Sequence, residues 1–203
     1  MRYDFWDMKN MEKSYKITDS KLVEIIKNGG VGVLPTDTLY GLVGSALNKK
    51  SVEKIYKLKK RNSRKKVIIL IGSLSDLKLF SVSFNNEFKK IISDFWPGKV
   101  TIVLPVQTKK FAYLLKKTKT LAFRLPKKTK LVSLLKKTGP LIAPSANREG
   151  ERPAKTIIEA KKYFGNEIDF YVDDGKQESL PSTIIRLRNH RLMIRRKGAV
   201  KIK

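Results

Sequence analysis

Short apolar runs rich in β-branched residues alternate along this chain with stretches whose apolar residues recur every three or four positions, and that alternation leaves few folds open. A run of four or five apolar residues suits a buried strand, whereas an i, i+3, i+4 pattern is one face of a helix. Thr18-Asp19-Ser20 offers capping oxygens for a helix carrying Leu22, Val23, Ile25 and Ile26, and Gly29-Gly30 offers the positive-φ residues that end it. Val31 to Leu34 reads as a strand that runs into a hydroxyl-rich loop, Pro35 to Gly41. Asn48 to Lys59 places Val52, Ile55 and Tyr56 on one helical face and feeds a strand, Val67 to Ile71. Further on, Asn85 to Phe95 reads as a helix, Val100 to Leu104 and Leu121 to Leu125 as strands, and Thr129 to Lys137 as a helix ended by Thr138-Gly139-Pro140. A strand from Leu141 to Ala143 then enters a second polar loop, Pro144 to Gly150. Thr156 caps a helix containing Ile157, Ala160 and Phe164, Ile168 to Val172 is a strand, and Thr183 to Leu187 with Leu192 to Arg195 forms a hairpin about Arg188 to Arg191. Helices and strands interleaved from end to end predict an α/β fold in one domain over residues 1–203, with a core of about 18–200 and residues 1–10 as an extension.

Composition removes whole classes of chemistry. There is no cysteine, so disulfides, thiolate nucleophiles and Cys-ligated metals are excluded. The one histidine, His190, falls in the predicted hairpin turn among Arg188, Asn189 and Arg191, where a surface residue is expected rather than a base. Paired-His zinc motifs are impossible, no pair of carboxylates stands out for acid–base work, and no metal ligand set is expected. The longest apolar run, Val67 to Ile71, is too short to cross a bilayer, and MRYDFWDMKN lacks the apolar core of a signal peptide, so the expectation is a cytoplasmic protein with no membrane partner. With 45 Lys+Arg against 18 Asp+Glu, the formal charge of +27 attracts polyanions. Two readings of that charge stand: a polyanion-binding surface, or the solvated Lys-rich faces of a Lys-rich proteome.

The residues able to do chemistry cluster in a few segments. Ser145 and Asn147 fit ordinary turn chemistry, yet in an extended Ser-x-Asn segment both side chains reach one ligand such as a phosphate or a sugar hydroxyl. Lys59 and Arg61 at the end of a helix suit a polyphosphate, or belong to a solvated Lys cluster. Arg124 interrupts the apolar strand Leu121 to Leu125 on the side opposite Phe123; unless that face is exposed, it needs a carboxylate or phosphate. Asp37 could hold Mg²⁺, orient a substrate amine, or bond its own loop backbone. Neither GxxxxGK[ST] nor GxGxxG is present, so a nucleotide site here is of another design.

Taken together and in order, the segments PTDTLYGL (Pro35 to Leu42), IYKLKKR (Ile55 to Arg61), WPGKVTIVL (Trp96 to Leu104), LAFRLP (Leu121 to Pro126), PLIAPSANREG (Pro140 to Gly150), PSTII (Pro181 to Ile185) and IRRKGAV (Ile194 to Val200) resemble the YrdC-like family of threonylcarbamoyl-AMP synthases, in its short single-domain form. The resemblance covers nearly the whole chain and keeps the family's K-x-R and S-x-N signature as Lys59, Arg61, Ser145 and Asn147. It implies a twisted open mixed sheet with flanking helices and a basic concave face. It also implies an L-threonylcarbamoyladenylate synthase that makes threonylcarbamoyl-AMP and pyrophosphate from L-threonine, bicarbonate or CO₂, and ATP. A separate tRNA-threonylcarbamoyl transferase complex would then modify the adenosine beside the anticodon.

Carried over position by position, Lys59 and Arg61 hold the triphosphate as the catalytic cations, Ser145 and Asn147 hold phosphate and ribose, and Arg196 adds a nucleotide contact. Threonine's carboxylate meets Arg124 and Ser182, with Thr36, Thr38 and Tyr40 shaping its other end. Mg²⁺ accompanies ATP through phosphates and water. The chain departs from the common K-G-R-P pattern, reading Lys59-Lys60-Arg61-Asn62, and has Leu70 where long two-domain members place a His. The competing reading is a non-catalytic protein that binds double-stranded RNA or tRNA through the same basic cleft; direct tRNA contact is compatible with either.

Overall fold

Among the described residues ten strands form one mixed sheet, in the order 1-8-2-3-7-4-6-5-9-10 when numbered along the chain. The computed structural model describes residues 13–62, 65–83, 86–115, 118–188 and 191–202. The strands are β1 (Ser14–Tyr15), β2 (Gly32–Pro35), β3 (Tyr40–Ser45), β4 (Ile68–Leu70), β5 (Val100–Pro105), β6 (Thr120–Arg124), β7 (Leu141–Ile142), β8 (Phe170–Val172), β9 (Thr183–Arg188) and β10 (Arg191–Arg196). The helices are α1 (Ser20–Lys27), α2 (Lys49–Leu58), α3 (Asn86–Ser93), α4 (Ala112–Leu115), α5 (Thr129–Thr138) and α6 (Ile157–Phe164), with a 3₁₀ turn at Leu74–Phe80. Among the described residues no helix is long and apolar enough to cross a membrane. His190 and residues 1–10 lie outside the described residues.

The continuous apolar character of the strands follows from burial on both faces. Val33, Leu42, Ile69 and Tyr171 point into a large core that includes Val52 and Ile55 of α2. Their chain neighbours Leu34, Val43, Leu70 and Phe170 point into a second core with Leu22 and Ile26 of α1 and Leu131, Leu134 and Leu135 of α5. Helices α1 and α5 cover that second face only as far as β4. Leu70 is paired in register with Arg124 and Thr101 with Ile184, so Arg124 and Ile184 carry the same face onward, past the last covering helix. There a cleft opens, lined by Arg124 and Ile184.

Several expectations are corrected. The segment Pro35 to Gly41 is not one long loop: Pro35 ends β2, Tyr40 begins β3, and only Thr36 to Leu39 turn between them. The sequence pattern gave no strand at Tyr40–Ser45 because every residue of β3 is buried, two are glycines, and no alternation marks it. The Thr18-Asp19-Ser20 oxygens do not cap α1; the N-cap Asp19 carboxylate accepts from Lys16 N at 2.7 Å instead. Of the two glycines after α1, only Gly29 has positive φ. The predicted cap at Thr156 is present, accepting from Glu159 N at 3.2 Å, and Asn48, not singled out as a cap from sequence, accepts from Ser51 N at 3.2 Å.

Candidate functional site

The β2–β3 turn is organised by one hydroxyl. Thr36 Oγ1 donates to Leu39 O at 2.7 Å, accepts from Thr38 N at 3.1 Å and Leu39 N at 3.2 Å, and lies 3.1 Å from Thr38 Oγ1. Tyr40 leaves this turn buried, with its phenol 2.7 Å from Gly175 O and 3.0 Å from Asp173 Oδ1 while accepting from Asp174 N. Burial first, and the Asp173 carboxylate after it, pushes the Tyr40 phenol up to about 12, against the backbone bond from Asp174, so it stays a neutral fixture at neutral pH.

Arg124 has its anion inside the protein. Its Nη2 stands 3.0 Å from Asp37 Oδ1, and Nη1 donates to Thr38 Oγ1 at 3.1 Å. The two side chains are 4% and 7% exposed. Neither Asp37 oxygen has an aligned hydrogen bond, and Arg124 Nε is buried without a partner among the described residues. Burial pulls the guanidinium pKa down, Asp37 opposes that, and the Arg196 charge adds to the lowering. Of the roles open to Asp37 from sequence, a bond to its own loop backbone is not made among the described residues, and Asp37 pairs with Arg124 instead.

The K-x-R and S-x-N segments meet face to face. At the end of α2, Lys60 N donates to Lys57 O at 2.9 Å and Arg61 N to Tyr56 O at 3.0 Å, a Schellman closure with Lys60 at φ +48°. This turn drives the Lys59 side chain inward to 1% exposure, where Nζ donates to Ser145 O at 2.5 Å, Asn147 O at 2.6 Å and Asn147 Oδ1 at 3.3 Å. Desolvation, with Arg61 pushing the same way and Glu149 opposing, brings the Lys59 pKa down to about 7. Ser145 Oγ donates to Asn147 Oδ1 at 2.6 Å, and Asn147 Nδ2 donates to Arg148 O and Glu151 O. The Ser-x-Asn segment is not extended as expected but turned, with Asn147 N donating to Ser145 O at 3.0 Å, so that the two side chains bond each other and Asn147 faces inward. Arg61 turns the other way, with Nη2 on Lys66 O at 2.9 Å and a buried, unpartnered Nε.

The second wall comes from β9 and β10. Arg196 donates through Nη2 to Ser182 O at 2.7 Å and Ser182 Oγ at 3.2 Å, and Ser182 Oγ lies 2.8 Å from Thr101 Oγ1. Gly198 passes so close to this segment that a Cβ there would fall 2.2 Å from Pro181 O. Thr101, fully buried, was not singled out from sequence; its signal is a lone hydroxyl inside the apolar run Val100 to Leu104.

These walls line an open cleft of about 270 Å³ formed by Thr36, Thr38, Tyr40, Arg61, Arg124, Ser145, Ser182 and Arg196, with Lys66 as a further cation. Of the residues predicted for the site, Lys59 and Asn147 do not line it; they lie behind the loop. Among the described residues no Asp, Glu or His lines the cleft. The first and second loops are joined across it by backbone: Gly41 bridges Ser145, Leu42 N donates to Pro144 O, and Ala146 N donates to Tyr40 O.

The sequence model of the Sua5/YciO/YrdC family, described as telomere recombination, matches residues 24–198. The chain belongs to the Sua5/YciO/YrdC family. A relative from Methanocaldococcus jannaschii, provisionally named threonylcarbamoyl-AMP synthase, is 31% identical over 194 residues that cover 95% of this chain and 91% of its own. Among solved structures, E. coli YciO superposes with a TM-score of 0.79 at 26% identity over 90% of both chains. P. abyssi Sua5 complexed with L-threonine superposes with a TM-score of 0.81 at 28% identity over 88% of this chain, which spans 53% of that longer protein. The open mixed sheet with flanking helices is therefore the fold of the Sua5/YciO/YrdC family.

Proposed function

We propose that this protein is a threonylcarbamoyl-AMP synthase. The observation that carries the reading is the cleft lining: three guanidinium groups, from Arg61, Arg124 and Arg196, converge with the hydroxyls of Thr36, Thr38, Ser145 and Ser182, and among the described residues no acidic side chain lines the cleft, the buried Asp37 that pairs with Arg124 lying outside that lining. Fixed cations and hydroxyls without a nucleophile–base pair suit a reaction between anionic substrates in which positioning and charge stabilisation dominate. The family's name-bearing relatives, and the threonine complex of P. abyssi Sua5, support the same assignment.

In this reading the threonine carboxylate is received by the Arg124 and Ser182 side of the cleft, and its other end lies against the β2–β3 turn. The amine adds to bicarbonate with loss of water, forming a C–N bond and a carbamate. A carbamate oxygen attacks the α-phosphorus of ATP, the bond from that phosphorus to the β-phosphate bridging oxygen breaks, and pyrophosphate leaves in line. Arg61, Ser145 and Arg196 hold the phosphates and offset the charge that builds on them. Among the described residues no cluster of three His, Cys, Asp or Glu side chains could hold a metal, so Mg²⁺ entering with ATP would be bound through phosphate oxygens and water. The product is passed in the cytoplasm to a tRNA-threonylcarbamoyl transferase complex, and the +27 charge supports direct tRNA contact during that step.

The test is pyrophosphate release from ATP and bicarbonate with L-threonine, with L-serine, and with no amino acid. Release that depends on bicarbonate and L-threonine is expected. A folded protein that releases none under any condition, but binds tRNA with an affinity falling steeply as salt rises, would replace this reading by the RNA-binding one.

A further inference from the structure

Lys59 and Arg61 are two residues apart and both cationic, yet their side chains part company. Arg61 keeps an unpartnered Nε and lines the cleft. Lys59 is buried, and each of its three contacts is an oxygen of the Ser145-Ala146-Asn147 loop. Its backbone is engaged on the same side, since Glu149 N donates to Lys59 O at 2.7 Å. Just outside, the Glu149 carboxylate accepts from Asn62 N at 2.6 Å and pairs with Lys65. The end of α2 and the second loop are therefore fastened at successive points, from the buried ammonium outward to the exposed ion pair.

We infer that Lys59 is a positioning residue that clamps the Ser145 loop into the cleft wall, and that it makes no contact with phosphate. An ammonium has three donors, and the three loop oxygens use all of them. A lysine that left this position to reach a ligand would strand the buried Asn147 carbonyl and leave Ser145 O and Asn147 Oδ1 with only their bonds inside the loop, from Asn147 N and Ser145 Oγ. The charge this burial depresses is not lost to the clamp, because a neutral amine still carries two N–H donors, enough for Ser145 O and Asn147 O. The clamp itself follows from the geometry alone; its consequence for ATP rests on the synthase reading above.

Two measurements test it. Hydrogen exchange on the ligand-free protein, comparing wild type with Lys59→Met and Arg61→Met, is expected to show about tenfold or faster exchange of the Asn147 and Glu149 amides in Lys59→Met only. Unchanged exchange in a folded Lys59→Met variant would overturn the clamp. The second measurement uses wild-type protein and so survives a variant that does not fold: NMR of the Lys59 ε-carbon and the Arg61 guanidinium during titration with ATP. Movement of the Arg61 signals with the Lys59 signal unmoved is expected. A Lys59 shift as large as that of Arg61 would restore it as a phosphate ligand. ATP that moves neither signal counts against the synthase reading, while the exchange result still decides the clamp.

Discussion

Asp37 and Arg124 face each other at 3.0 Å across the turn between β2 and β3, both side chains more than nine-tenths buried. The pair fixes a cation at the cleft floor while leaving it one donor, Nε, without a partner. Removing one member of such a pair leaves the other charge buried and alone, which costs about 3–5 kcal/mol. Asp37→Ala is therefore expected to lower unfolding free energy by that order in urea titration. Arg124→Ala is expected to raise the threonine KM for pyrophosphate release more than the ATP KM; the reverse split would remove the carboxylate role from Arg124.

Arg61→Ala is expected to abolish pyrophosphate release with circular dichroism and melting temperature close to wild type, since among the described residues its guanidinium makes one hydrogen bond, to Lys66 O, and it lines the cleft. Turnover at the wild-type rate would sink its phosphate role.

Lys60 holds φ +48°, in the left-handed region that favours glycine. A Cβ there costs roughly 1 kcal/mol, so Lys60→Gly is expected to stabilise the protein by up to about that amount. Matched denaturation curves of the two proteins measure it, and a destabilised variant would refute the strain.

Lys59 titrates near 7 when folded, far below the ordinary lysine range, because it is desolvated and beside Arg61, with Glu149 opposing. Above that pH the unfolded chain binds the proton that the folded one has released, so this group adds stability as pH rises from about 7 toward 10.5, by at most about 1.4 kcal/mol per pH unit. Below 7 both states are protonated and the slope vanishes. Unfolding free energies of wild type and Lys59→Met between pH 6 and pH 9 should thus diverge in favour of wild type only above neutrality. Parallel curves would contradict the lowered pKa.

Thr101→Val keeps shape and removes the hydroxyl 2.8 Å from Ser182 Oγ. A loss of about 1 kcal/mol in stability is expected, together with a raised threonine KM, because Ser182 is then steered by Arg196 alone.

Much of this arrangement was legible in the residues. The helical periodicity of Val52, Ile55 and Tyr56, the cap at Thr156, and the hydroxyls that line the cleft all follow from local rules of spacing and hydrogen bonding. The strand Tyr40–Ser45 was hidden because burial on both faces erases alternation. The 3₁₀ turn at Leu74–Phe80 was also unread, although Ser73 and Asp76 form a capping box at its start. The direction of Lys59 could not be read, because K-x-R spacing gives no sign of which cation turns inward; that is decided by the left-handed turn at Lys60 and by the carbonyls waiting behind it. The partner of Arg124 was invisible for a related reason. Strand alternation says that the arginine needs an anion, and only tertiary packing says that Asp37 supplies it.

The backbone bridge from Gly41 to Ser145, with Leu42 N on Pro144 O and Ala146 N on Tyr40 O, makes the two loops adjacent rungs of one ladder. Their lengths are consequently not independent. Deleting one residue from the Thr36–Leu39 turn would slip the rung beside it and carry Ser145 out of place, since a one-residue slip exchanges the faces of a strand. Loop-length variants of this protein should accordingly be recoverable only in compensated pairs, one change on each side of the bridge.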